Sequence, residues 1–189
     1  ADGMTAFWVH GNAAGWGRQE YAAQEGFRAS GIKLEKVSVG KDAILGTPGE
    51  ALPVIESVLD EAIVATAAEA VGIMEELTRA TVEYCKTRTQ FGVPIGKFQV
   101  LQHRMAEMFM EHEQAKSMLY RAALSMDAKT EDAPRNCAAL KVQIGKSGRF
   151  VGQQAIQLHG GMGMTDELIV GHYFKRLTMI NSLFGNIDY

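Results

Sequence analysis

Twelve consecutive residues, Arg88-Thr-Gln-Phe-Gly-Val-Pro-Ile-Gly-Lys-Phe-Gln99, crowd an arginine, two glutamines and two phenylalanines around three helix breakers. Gly92, Pro94 and Gly96 force a turn between two long helical stretches. The side chains at that turn suit a flat, anionic cofactor. A guanidinium pairs with phosphate, amides hydrogen-bond, and rings supply packing surface. The same residues also suit a plain connector in which Phe91 and Phe98 plug the core.

A second candidate lies near the other end of the chain, in Gln157-Leu-His-Gly-Gly-Met-Gly163. Glycines ahead of a helix expose backbone N–H groups to an anion. Without a Gly-Lys-Ser/Thr sequence it is no Walker loop, and no strand precedes it as in a dinucleotide fold. A sharp inter-helix turn would use the same glycines. The two turns can lie at one end of a bundle or meet across a dimer. Asp60 and Glu61 are adjacent acids on an otherwise apolar helix, suited to a substrate contact and a general base, or to a solvated face favoured by the helix dipole. His159 and His172 lack a nearby nucleophile or carboxylate in sequence and read as structural.

Four helices must position these groups. Thr47-Pro-Gly-Glu50 predicts a helix start, with Thr as N-cap, running to about Lys86. Its apolar face comprises Leu52, Ile55, Leu59, Ile63, Ala67, Ala70, Met74, Leu77, Thr81 and Tyr84. Gly72 in mid-helix predicts close passage of another element. A second helix runs from about Phe98 to Met126, with Leu101, Met105, Met108, His112, Ala115, Leu119, Ala122 and Met126 on one face. A third opens at Asp132-Ala-Pro134 and runs to about Leu158, and a fourth, capped by Asp166, reaches about Phe184. An antiparallel four-helix bundle is the economical arrangement. Residues 1–46 differ, being glycine-rich with strand patterns at Thr5–Val9 and Ile32–Val39. So few strands either pack on the helices or belong to a larger β domain.

The 189 residues carry a formal net charge of −3 and no basic block, which argues against nucleic acid as a partner. No apolar run approaches a membrane span, and the first stretch does not read as a signal peptide. Cys85 and Cys137 form no CxxC pair, and the five histidines show no metal-ligand spacing. These features predict a reduced, cytoplasmic setting and no metal site.

Taken together, Arg88-x-Gln-Phe-Gly-x-Pro-Ile-x-x-Phe-Gln99, Gln157-x-His-Gly-Gly-x-Gly163 and Tyr173-Phe-Lys-Arg176 resemble the C-terminal half of the acyl-CoA dehydrogenase family. On that resemblance, residues 1–46 match the tail of the family's middle β domain and 47–189 its helical bundle. The resemblance implies FAD as cofactor, an acyl-CoA substrate and electron-transfer flavoprotein or a similar acceptor. It implies assembly as a homodimer or as a heterotetramer with a related subunit. Arg88, Gln90, Phe91, Ile95 and Phe98 match positions reaching a neighbouring subunit's flavin, and Gln157, Gly160 and Gly161 the segment holding its ADP half. The family removes the substrate α-proton with a glutamate, and the two positions that carry it are Ala62 and Gly185 here. Glu61 is one residue, or about 100°, away from the first. Ile187 and Tyr189 are atypical at positions that help hold FAD. The ending from Phe184 to Asp188 most resembles small subunits of the pimeloyl-CoA dehydrogenase type, which act with a related subunit able to carry the base. These 189 residues alone are then expected to be inactive. A self-sufficient enzyme using Glu61, or a helical module serving assembly alone, are the alternatives.

Overall fold

The computed structural model describes residues 3–187, so Tyr189, expected near the cofactor, lies outside the described residues. Two compact units divide at Leu59/Asp60. In the first, β1 (Ala6–Phe7) pairs antiparallel with β4 (Ile44–Leu45). Strands β2 (Trp16–Ala22) and β3 (Arg28–Leu34) form an antiparallel hairpin, with Trp16 opposite Leu34 and Ala22 opposite Arg28. Two expectations change here. The strand placed at Ile32–Val39 begins earlier and stops at Leu34; one further cross-strand bond joins the Glu35 N–H to the Gly15 carbonyl before Lys36 adopts a left-handed conformation (φ +54°). β2 was not foreseen at all. Its side chains are exposed on both faces except for a half-buried Trp16, so no alternating pattern marks it.

Thr47 does not cap a helix. Gly49 has φ +88° and the Glu50 N–H donates to the Thr47 carbonyl, so Thr47-Pro-Gly-Glu50 is a type II turn. Pro at the second position and Gly at the third favour that turn as strongly as a helix start. The first helix, α1, covers Leu52–Thr87.

The second unit contains the rest of α1 and three further helices: α2 (Gln99–Asp127), α3 (Ala133–His159) and α4 (Ile169–Ser182). Between α1 and α2 lies a two-stranded hairpin of β5 (Thr89–Gln90) and β6 (Val93–Pro94), followed by a 3₁₀ turn at Ile95–Lys97. The core is shared by all four helices. Met74 and Leu77 of α1, Met108 of α2, Leu140 and Val151 of α3 and Ile180 of α4 are fully or almost fully buried. Each such side chain contributes about 1.5–3 kcal/mol by leaving water. The α3 residues spaced at helical period, Cys137, Leu140, Ile144, Gly148, Val151, Ala155 and Leu158, are all buried.

Glycines on α3 let α4 come close. A Cβ at Gly152 would stand 2.7 Å from Phe174 Cδ2, and one at Gly148 would touch Leu177. Gly72 plays no such part. It is exposed, and a Cβ there would meet no described atom within 4 Å. Asp166 also departs from expectation, since α4 begins three residues later at Ile169. The Asp166 carbonyl accepts from His172 Nε2 (2.9 Å), while its carboxylate pairs with Lys175 (3.4 Å). The acid therefore serves α4 from outside rather than capping it.

Candidate functional site

The end of α1, the β5–β6 hairpin and the end of α3 meet around an open groove of about 440 Å³. Arg88, Gln90 and Ile95 line it from the first turn, and Gln157, Gly160 and Gly161 from the second. Two stretches far apart in sequence thus share one site. Phe91 and Phe98 do not line the groove. They contact each other edge-to-face, with ring centroids 6.1 Å apart. Phe91 and Gly92 both have positive φ (+54° and +80°), making a two-residue type I′ hairpin turn that leaves Phe91 91% exposed.

Sequence reasoning missed Tyr84 and undervalued His159, both of which line the groove. Their rings stack with centroids 4.4 Å apart and planes 30° from parallel. His159 Nδ1 bonds the Ala155 carbonyl at 2.8 Å, and the Tyr84 hydroxyl reaches the His159 carbonyl at 3.5 Å. The signal was present in spacing: Tyr84 lies one helical turn before Arg88, and His159 adjoins Gly160.

The glycine segment acts differently from the expected helix N-terminus. Gly160 (φ +59°) ends α3 and begins a 3₁₀ turn through Met164, five residues before α4. The nearest helix end is the C-terminus of α3, whose partial charge is negative. Positive potential for an anion must therefore come from Arg88, whose guanidinium makes no hydrogen bond or ion pair among the described residues. A Cβ at Gly161 would meet no described atom within 4 Å. The chain's own packing does not demand glycine there, but a ligand lying against the backbone would.

The acidic candidates lie elsewhere. Glu61 is exposed and Asp60 half-buried, and neither lines the groove. Along α1, Glu61 is about 35 Å from Tyr84. The charge of Asp60 is felt by Cys137, whose thiol is pushed up to about 11, chiefly by burial and secondarily by that carboxylate. Cys85, also buried, is raised by desolvation. Both thiols are therefore poor nucleophiles. Ala62 is half-buried, and Gly185 adopts φ +100° just beyond α4.

Away from the groove lining, Arg176 of α4 clamps Glu69 of α1 through two hydrogen bonds of 2.7 Å. Those bonds hold the Glu69 carboxyl below its ordinary value. Among the described residues no group of three histidine, cysteine or acidic side chains forms a metal-binding set, and no helix is long and apolar enough to cross a membrane.

Residues 50–188 match the family model described as "Acyl-CoA dehydrogenase, C-terminal domain". The chain belongs to the acyl-CoA dehydrogenase family. It is 31% identical to human mitochondrial short-chain specific acyl-CoA dehydrogenase over 82% of its own length and 38% of that protein's. Butyryl-CoA dehydrogenase from Megasphaera elsdenii superposes with a TM-score of 0.90 at 26% identity, covering 98% of this chain and 49% of that one. PigA, solved with FAD and proline, superposes at 0.89 and 26% identity over 97% of this chain and 49% of that one. The chain thus spans less than half the length of these relatives. Four helices preceded by small antiparallel strand pairs are the architecture the family's C-terminal domain shares with this chain.

Proposed function

We propose that this chain is the C-terminal, cofactor-holding portion of an FAD-dependent acyl-CoA dehydrogenase, working in a heteromer as a subunit without its own glutamate base. The observation that carries the reading is the meeting of Arg88 and Gln90 with Gln157, Gly160 and Gly161 in one groove. These residues fit the ADP half of FAD. Arg88 offers an unpaired cation to a diphosphate, the two glutamines offer amide groups, and Gly161 leaves backbone open to close approach. The stacked Tyr84–His159 pair adds an aromatic wall. Bound FAD supplies the acceptor for the hydride leaving the substrate β-carbon.

The groove lies about 35 Å along α1 from Glu61, so one chain presents them to different reacting centres. That separation supports a cofactor shared between subunits, with Arg88 reaching a neighbour's flavin. Ala62 and Gly185 offer no carboxylate for the α-proton. The base then comes from a related partner, as the resemblance to pimeloyl-type small subunits implies. Residues 1–46 fit the tail of a β domain: Tyr21, Ile32 and Leu34 of the β2–β3 hairpin are each more than half exposed, as befits strands awaiting more sheet.

The test is an anaerobic titration of the complete enzyme subunit with butyryl-, isovaleryl- and pimeloyl-CoA, monitoring flavin absorbance. The expected outcome is a bound flavin that stays oxidised until the related subunit is added. Bleaching by the lone subunit that disappears in Glu61→Gln would overturn the heteromer in favour of an unusual internal base. Failure to retain FAD in either arrangement would favour the assembly-module reading.

A further inference from the structure

Lys141 is a charged residue in a position that periodicity gives to the core. It sits on α3 beside Leu140 and is 7% exposed. Its ammonium donates to the Ile180 carbonyl at 2.6 Å and the Asn181 carbonyl at 3.1 Å. Both acceptors lie in the last turn of α4, where helix carbonyls have no partner within the helix. The Leu183 N–H folds back to the Met179 and Ile180 carbonyls, so the Ile180 oxygen serves two donors. Immediately afterwards Phe184 (φ +56°) and Gly185 (φ +100°) turn the chain through two left-handed residues.

One turn along α3 from Lys141, Gly145 completes the arrangement. A Cβ there would stand 2.2 Å from Ile187 Cγ2 and 2.4 Å from Asn181 Oδ1. A cation above and a bare backbone below thus define where the chain leaves α4. Desolvation lowers the Lys141 pKa, the sign of a charge held in an unfavourable medium. A leucine or methionine would fill the same space without that cost. What an apolar residue would not supply is a directional, charge-assisted cap on two carbonyls.

We infer that Lys141 is a positioning residue that fixes the exit of the chain from α4 and thereby the segment 183–187. The functional consequence rests on the reading above, in which Gly185 occupies one of the two places of the family's base; a segment there borders the reacting centre. Lys141 then acts on the reaction through backbone placement, without touching substrate.

The experiment compares Lys141→Met with wild type in the complete enzyme, with its partner subunit present. Hydrogen exchange at the Leu183 amide is expected to accelerate about tenfold or more, while the α2 amides keep their protection. FAD content is measured alongside and rates are expressed per bound flavin, because the segment that Lys141 fixes includes Ile187. Flavin reduction by butyryl-, isovaleryl- or pimeloyl-CoA is expected to slow about tenfold. Unaltered exchange at Leu183, or equal acceleration throughout the bundle, overturns the positioning role. Accelerated exchange with an unaltered reduction rate overturns its functional consequence. If Lys141→Met does not fold, Lys141→Gln, which keeps an N–H donor without the charge, is read against the same outcomes. A wild-type complex whose flavin no acyl-CoA reduces counts against the dehydrogenase reading, while the exchange result still decides the cap.

Discussion

Phe91 carries two costs that the chain itself does not repay. A bulky residue in the left-handed region costs about 1–2 kcal/mol, and its ring stands in solvent apart from one edge contact with Phe98. On the function proposed above, that ring packs at the flavin site of a neighbouring subunit. Phe91→Asn is expected to raise stability by about 1 kcal/mol, seen as a higher denaturant midpoint, and to weaken FAD retention by the complete enzyme. Stabilisation with full FAD retention would leave Phe91 without a role. Its residue type was visible in the sequence. Its conformation was not, because Phe-Gly lacks the Asn-Gly signature that announces a type I′ turn.

Among the elements, α1 and α3 show why a helical glycine cannot be interpreted from sequence alone. Gly72 and Gly152 are both mid-helix glycines on amphipathic helices. Only the second faces a neighbour. Gly72→Ala is expected to stabilise by up to about 1 kcal/mol, the helix-propensity difference alone. Gly152→Ala is expected to destabilise by about 1–3 kcal/mol, because the new methyl would press on Phe174. Thermal or denaturant unfolding of the two variants decides both signs, and a destabilised Gly72→Ala would indicate a partner surface covering that face. The apolar spacing of α3 predicted its buried side correctly, since burial and helical period are tied by geometry. The beginning of α1 was misplaced because Thr-Pro-Gly-Glu satisfies both a capping pattern and a type II turn. Gly49 resolved the ambiguity once the following Ala51 bonded Met4.

At the level of the whole molecule, one ion pair ties the last helix to the first. The Arg176–Glu69 pair holds the Glu69 carboxyl below its ordinary value. A carboxyl lowered on folding contributes stability that is present above its unfolded value and fades as pH falls through its folded one. Glu69→Gln is therefore expected to cost about 0.5–1 kcal/mol near neutrality, a small amount because the carboxylate is 41% exposed. The difference from wild type should shrink as pH falls below the ordinary carboxylate range and vanish once the folded Glu69 carboxyl is protonated, as measured by melting temperature against pH. A difference constant with pH would mean that packing, not charge, is lost. The sequence by itself determined the helical class, the two polar turns and their residue types, because periodicity and breaker residues are local signals. On the function proposed above, it also supplies no carboxylate at Ala62 and Gly185, which are matters of identity alone. Tertiary structure decided that Arg88 and Gln157 share one groove, that Tyr84 and His159 wall it, and that Lys141 caps a helix 39 residues downstream. Those are contacts between distant residues, fixed by how close the helices can approach, and no local pattern in the chain encodes that distance.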